Sequence, residues 1–292
     1  MKKLLMVINP NSGKANSKAQ LLDALKVFSE YEYRTEIYIT QKQMDAHDYV
    51  KANAYRFDLV VVCGGDGTLN EVVNALMKVK NKPEIGYFPS GTVNDFSSNF
   101  NLSFSWKEEA VRICTGSPHP FDVGEVNGKK YFDYVAAFGA FCDVPYSTNR
   151  KQKEVLGTFA YFIEGITRLP NLKPIRVKMT INGKTYEYNS LFGLVFSGNK
   201  VASFELLSKN KASVSDGKFN VMIVDYMENI IRLPEYMSGI FEQTGDKIHW
   251  FSVDEVKFEF EERVNWTLDG EAGNLDKEVE IINHKKALNI IC

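Results

Sequence analysis

The chain has 292 residues, enough to bury a sizeable core, and length alone favours two domains. Its composition, 44% hydrophobic and 25% charged, is that of an ordinary globular protein. A formal net charge of -2 provides no global field toward nucleic acid or an anionic surface, so nucleic acid is not expected as a partner and any membrane contact must be local.

The segment Met1-Lys2-Lys3-Leu4-Leu5-Met6-Val7-Ile8 has the start of a signal peptide, but its apolar run stops at Asn9-Pro10, too early and without a cleavage site. It reads as a first β-strand. No stretch approaches the ~20 apolar residues that a membrane-spanning helix needs. Cys63, Cys114, Cys142 and Cys292 show neither CxxC pairing nor zinc-like spacing, and read as reduced thiols of a cytoplasmic protein. His47, His119, His249 and His284 form no ligand spacing.

Through the first ~120 residues, strand and helix patterns alternate. Strands are expected over Leu4 to Ile8, Glu36 to Thr40, Leu59 to Cys63 and Glu84 to Phe88. Helices are expected over Ser17 to Phe28, with Leu21, Leu22, Leu25 and Phe28 on one face, and over Asp45 to Ala54, Asn70 to Met77 and Trp106 to Cys114. This alternation argues for an α/β domain, residues 1-122, with a parallel sheet covered by helices. Near Phe121 the character changes. Asn127-Gly128 and Asn182-Gly183 are hairpin turns, the second joining Ile175, Val177, Met179 and Ile181 to Tyr186 and Tyr188. Strands follow at Phe219 to Val224, Val256 to Phe260 and Val279 to Ile282, with one helix carrying Leu156, Phe159, Ile163 and Ile166. Residues 123-292 therefore read as an antiparallel β-sandwich domain, with room for the extreme C-terminus to return to the first domain.

Gly64-Gly65-Asp66-Gly67-Thr68 lies between the buried strand Leu59 to Cys63 and the helix that opens near Asn70. Ligands bind at the C-terminal ends of such strands. Glycines there let the backbone approach an anion, and the first helical amides point at it. Asp66 suits a cation, a ribose hydroxyl or a proton transfer. Asn9-Pro10-Asn11-Ser12-Gly13-Lys14 follows the first strand but lacks the upstream glycine and the Ser/Thr of a Walker A loop. It reads equally as a nucleotide-binding turn or an ordinary one. Ser90-Gly91-Thr92-Val93-Asn94-Asp95-Phe96 places a third polar loop after the Glu84 strand. Such loops converge at one edge of a parallel sheet.

Together with Ser215-Asp216-Gly217 and Leu268-Asp269-Gly270-Glu271, these motifs resemble those of the soluble diacylglycerol kinase and sphingosine kinase superfamily, and most of all its bacterial lipid kinases. The resemblance covers essentially the whole chain. It implies a nucleotide domain similar to that of NAD kinase, a β-sandwich, and an active site in the cleft between them. It further implies ATP and Mg2+, phosphoryl transfer to a lipid hydroxyl, and acyl chains held between the domains. Nucleotide contacts would come from Asn9, Pro10, Asn11, Ser12 and Gly13, from Thr40, from Gly64, Gly65, Asp66, Gly67, Thr68, Leu69, Asn70 and Glu71, and from Thr92, with Asn94 and Asp95 shaping the loop. Glu271 would be the general base, and Asp66 would organise metal and water; in the sphingosine kinase branch the matching aspartate takes the base role. Ser213, Asp216 and Lys218 match a structural magnesium site, to which Lys218 can give only its carbonyl. The resemblance makes a homodimer plausible.

Each of these residues also has a plainer reading. Asp269-Gly270 and Asp216-Gly217 are turn signals in their own right. Tyr131 to Phe141 and the Leu156 to Leu169 helix read as core. Arg150-Lys151-Gln152-Lys153 reads as a solvated loop or as a contact for anionic headgroups in peripheral membrane association. Two competing functions share the overall plan: an NAD kinase-like enzyme, which the Asp-Gly-Glu and Gly91 to Phe96 motifs oppose, and a non-catalytic nucleotide- or lipid-binding regulator.

Overall fold

A computed structural model describes residues 1–12, 18–91, 94–100, 102, 105–143, 158–169, 172–198, 200–201, 204–205, 213–238 and 246–292. The chain forms two compact units. The first is Met1–Val123 with Lys286–Cys292, and the second is Gly124–Lys285.

The first unit runs β1 (Lys2–Ile8), α1 (Lys18–Glu30), β2 (Tyr33–Ile39), α2 (Asp45–Asn53), β3 (Leu59–Gly64), α3 (Asp66–Leu76), β4 (Glu84–Pro89) and α4 (Trp106–Thr115) before the chain enters β5 (Pro118–Val126). Strand β1 pairs in parallel with β2 on one side and β3 on the other. Strand β3 pairs in parallel with β4, Cys63 opposite Phe88 and Gly64 opposite Pro89. Because both faces of β1 and β3 are covered, they are apolar without alternation. Leu4, Met6, Leu59, Val61 and Cys63 share a cluster with Ala24, Val27 and Phe28 of α1 and Trp106, Ala110 and Ile113 of α4. Leu5, Val7, Val60 and Val62, equally buried, point to the opposite face. Phe88 stacks on Trp106 at 5.1 Å between centroids. Burying an aromatic ring of this size stabilises by roughly 1.5–3 kcal/mol.

Two expectations need correcting here. Leu21, Leu25 and Phe28 lie on the buried face of α1 together with Ala24 and Val27, but Leu22 is 67% exposed. Leu22 lies about 100° around the helix from Leu21 and so falls off that face. Helix α3 begins at Asp66 rather than Asn70, with Gly65 as its N-cap in extended backbone. The glycine motif is thus the helix's first turn and not a loop ahead of it.

The second unit holds β6 (Lys130–Phe132), β7 (Val135–Gly139), α5 (Ala140–Asp143), α6 (Thr158–Thr167), β8 (Ile175–Ile181), β9 (Lys184–Phe196), β10 (Lys200–Val201), β11 (Phe204–Glu205), β12 (Phe219–Asp225), α7 (Leu233–Ser238), β13 (Ile248–Val253) and β14 (Glu255–Leu268), and most of β15 (Glu271–Ile291). Its pairings are antiparallel. Strand β9 pairs with β8 through its first half and with β7 and β12 through its second. One face of β7, β9 and β12 packs Ala136, Phe138, Val195 and Val221 against Val177, Met179, Phe258, Val279 and Ile281, giving the sandwich-like core. The opposite face packs Leu194, Phe196, Met222 and Val224 against Ile163 and Ile166 of α6 and Leu233 of α7. Phe132, Tyr134 and Phe138 are core residues, as their composition suggested. Leu156 and Arg150 to Lys153 lie outside the described residues. Among the described residues no helix is long and apolar enough to cross a membrane.

The last residues of β15 return to the first unit, where Ile290 pairs in parallel with Ile85 of β4. Asn289 Nδ2 donates to Glu84 Oε1 at 3.5 Å, while Glu84 Oε2 is buried with no hydrogen-bond partner among the described residues. Burial raises the Glu84 carboxyl above its ordinary value, and the Asn289 contact only partly opposes this. A raised folded-state value means that the unfolded chain releases this proton first. Stability from Glu84 is therefore fully present below the unfolded value of 4.5 and is lost as pH rises through the folded one. Glu84→Gln should accordingly raise Tm at pH 8, with the gain shrinking to nothing as the pH is taken below 4.5 in a thermal unfolding series.

Candidate functional site

Strand order β2-β1-β3-β4 in the first unit places a topological switch point between β1 and β3, since the chain leaves β1 in one direction and returns on its other side. In open α/β sheets, ligands bind outside the carboxyl ends of the strands at this point. Three loops meet there. Asn9 Nδ2 donates to Thr68 Oγ1 at 3.0 Å, joining the end of β1 to the first turn of α3. Ser12 Oγ and Ser90 Oγ are 2.8 Å apart, joining the β1 loop to the β4 loop. The Asp95 amide donates to Asp66 Oδ2 at 3.1 Å, joining the β4 loop to α3. Within the β1 loop, Asn9 Oδ1 accepts the Asn11 amide at 3.0 Å, an Asx-turn, and Ser12 Oγ donates to the Asn9 carbonyl.

The two glycines at the centre set how closely these loops approach. A Cβ on Gly91 would lie 2.6 Å from Gly65 Cα and 2.8 Å from Asn94 Oδ1. A Cβ on Gly64 would lie 2.6 Å from Thr68 Cβ. Backbone thus meets backbone with no side chain between. Helix α3 is N-capped by Gly65, which has no side chain to occupy the space ahead of its opening turn, an arrangement compatible with an anion there. Asn94 holds the β4 loop in shape: at φ 54 its Oδ1 accepts the Gly91 amide at 2.8 Å and its Nδ2 donates to the Gly91 carbonyl at 2.9 Å. Asn94 and Asp95 are both buried.

The remaining expected contacts divide. Pro10 and Asn11 are exposed beside the site, while Thr40 is buried at the end of β2 with its amide on the Ile8 carbonyl. Gly67 and Asn70 are half-buried on α3. Leu69 is fully buried, so its side chain serves the core and not a ligand. Gly13 and Thr92 lie outside the described residues. Glu71 caps a neighbouring helix: Oε1 accepts the Met44 amide at 2.8 Å and Oε2 the Ala46 amide at 3.1 Å. Met44, at φ 65, is the N-cap of α2 and has no cap of its own. The same loop is tied at Asp45, which accepts the Gln41 amide and the Tyr38 hydroxyl; these bonds, the Gln41 amide first, hold its carboxyl below the usual range. Glu71 therefore steadies the segment that follows Thr40.

In the second unit, Asp269 and Gly270 have φ 48 and 82, the two positive values of a tight hairpin turn, and Leu268 pairs with Glu271. Glu271 is exposed, and its carbonyl accepts Thr267 Oγ1 at 2.9 Å. Asp216 closes its own turn, accepting the Ser213 amide at 3.2 Å and the Lys218 amide at 2.9 Å. Among the described residues no three His, Cys, Asp or Glu side chains gather as a metal cluster.

Sequence reasoning passed over Ser90, fully buried against Ser12, although it opens the motif that was singled out. It also passed over Asp122, buried and accepting the Lys286 amide at 2.7 Å, a contact spanning 164 positions that no local pattern announces. Glu71→Ala should lower stability by about 2 kcal/mol, the scale of a lost helix cap with a charged acceptor, read as a shifted urea midpoint.

Comparison with known proteins agrees with this architecture. Residues 3–126 match the diacylglycerol kinase catalytic domain, and residues 135–292 match the YegS C-terminal NAD kinase beta sandwich-like domain. A diacylglycerol kinase of Bacillus subtilis (strain 168) is 34% identical over 94% of this chain and 91% of its own. One from Staphylococcus epidermidis (strain ATCC 12228 / FDA PCI 1200) is 32% identical over 99% of this chain and 94% of its own. A solved structure from Bacillus anthracis str. Sterne superposes with a TM-score of 0.85 at 25% identity, covering 99% of this chain and 95% of that one. With matches of this extent, the chain belongs to the diacylglycerol kinase family of enzymes.

Proposed function

We propose that this protein is an ATP- and magnesium-dependent lipid kinase that transfers the γ-phosphoryl group of ATP to a hydroxyl of diacylglycerol or a related lipid. The observation that carries this reading is the meeting of three polar strand-end loops at the β1/β3 switch point, around the close approach of Gly65 and Gly91. The names of its relatives support the acceptor class. Kinase chemistry takes ATP as donor, and the donor set fits one: hydroxyls of Ser12 and Thr68, the amide of Asn9, and the glycine-lined backbone at the start of α3.

Phosphoryl transfer needs positioning and charge neutralisation more than covalent chemistry from the protein. Magnesium bound with the nucleotide supplies part of that neutralisation. Asp66, a hard oxygen donor in the first turn of α3, is the residue that fits it. Backbone at Gly64, Gly65 and Gly67 admits the phosphates. Glu271 takes the proton from the lipid hydroxyl as general base. Asp216 uses one acceptor position on each oxygen for its turn, so a structural cation also bound by the carbonyls at Ser213 and Lys218 is compatible with that geometry. Membrane association is peripheral, at the interface where the lipid is presented, and the working form is a homodimer.

Glu271→Gln should lower kcat by roughly 10²–10⁴-fold, the usual range for a lost general base, with nucleotide affinity nearly unchanged. Unchanged turnover removes Glu271 from that role. Asp66→Ala should weaken Mg-ATP binding as well as turnover, measured by calorimetry alongside the rate; normal nucleotide affinity would count against its metal role. The function itself is tested by ADP release from Mg-ATP in mixed micelles with a panel of alcohols that includes NAD. Release that needs a lipid supports the kinase reading. Release with NAD alone indicates an NAD kinase, and ATP binding with no release under any condition indicates a regulator.

A further inference from the structure

The aspartate of the Asp-Gly-Glu turn is bonded far more extensively than a turn requires. Asp269 is only 8% exposed. Its Oδ2 accepts the Asp133 amide at 2.9 Å. Its Oδ1 accepts the amides of Tyr134 at 3.0 Å and Val135 at 2.8 Å. The Asp269 amide in turn donates to the Val135 carbonyl at 2.8 Å. Four bonds therefore pin the tip of the β14–β15 hairpin to the start of β7, some 134 positions away in sequence. Alongside, Trp266, Thr267 and Leu268 pair with Phe138, Ala137 and Ala136, so the hairpin arm and its tip are held by the same strand.

Turn chemistry alone does not call for this residue. A two-residue turn with positive φ at both positions accepts Asn-Gly as readily as Asp-Gly. Three converging amide donors are different. An ionised carboxylate is acceptor-only and satisfies all three, whereas an asparagine would present an NH2 donor to one of them. We propose that Asp269 is a positioning residue for phosphoryl transfer: by binding the amides of residues 133–135 it fixes the hairpin tip from which Glu271 projects. Thr267 Oγ1, on the Glu271 carbonyl at 2.9 Å, fixes the same backbone from the other side. The inference rests on the reading of Glu271 as general base, since a base must sit within hydrogen-bond reach of the proton that it takes.

The test is a kinetic cycle on the full chain with the lipid found active in the micelle assay. Asp269→Asn keeps the turn and removes the all-acceptor clamp. Its kcat should fall about 10²-fold, the scale of a small misplacement of a reacting group, with the KM for ATP unchanged. In the Glu271→Gln background the same change should cost almost nothing further, because a positioning residue has no effect once the group it positions is gone. An equal loss in both backgrounds, or wild-type turnover in Asp269→Asn beside a slow Glu271→Gln, overturns the proposal. Normal turnover in Glu271→Gln instead overturns the base reading on which it stands. If Asp269→Asn fails to fold by circular dichroism, Thr267→Val carries the same cycle. A slowing of about tenfold that vanishes in the Glu271→Gln background supports the inference, and additive losses reject it.

Discussion

No side chain can stand between Gly65 and Gly91, and the proposed nucleotide site depends on that contact. With a Cβ on Gly91 only 2.6 Å from Gly65 Cα, the β3 and β4 loops could not keep their spacing. The parallel register that sets Cys63 beside Phe88 and Gly64 beside Pro89 delivers the two loops to the same height. From there the contacts of Asn9 with Thr68 and Ser12 with Ser90 draw in the third loop. The wall that results is made of backbone and small hydroxyls, which suits a polyanion. Large side chains would have filled the space.

Acidic residues in the family's motifs divide by what they bind. Glu71, Asp216 and Asp269 all turn their carboxylates to backbone amides. Each ties together segments whose geometry would otherwise be loose: the start of α2, an Asp-Gly turn, and the tip of a long hairpin. Such bonds are charge-assisted and stronger than neutral ones, so a few of them can set a loop that has little apolar surface to bury. Glu271, by contrast, is exposed beside the clamped Asp269. An exposed carboxylate next to one bound to three amides is a difference that residue type does not reveal, because both are simply acids in the sequence.

The distribution of strands and helices was legible because it rests on short-range periodicity. Buried runs such as Leu59 to Cys63 and alternating runs such as Ile175 to Ile181 can be read within a few residues. Errors arose where neighbours in space decide the outcome. Leu22 is as hydrophobic as Leu21 but stays exposed, because the face of α1 is set by β1, β3 and α4. Helix α3 extends back through Asp66-Gly67-Thr68, since the amides of Thr68 and Leu69 both find the Gly65 carbonyl, a gain that outweighs the poor helix propensity of glycine. Nor did the Glu71 clamp leave any trace in its own motif, since its partners, Met44 and Ala46, lie about 25 positions upstream.

By itself, the sequence determined the chemistry on offer: glycines where backbone must approach an anion, hydroxyls and amides at three strand ends, and an Asp-Gly turn followed by a glutamate. These follow from local rules of conformation and from the donor and acceptor inventory of each side chain. Only the tertiary structure decided which of those groups meet and which are consumed in holding others. The meeting of Ser12 with Ser90 and the binding of Asp269 to residues 133–135 span 78 and 136 positions respectively. Hydrogen-bond geometry across such distances is set by sheet register and strand order, and neither is written in the pattern of any single segment.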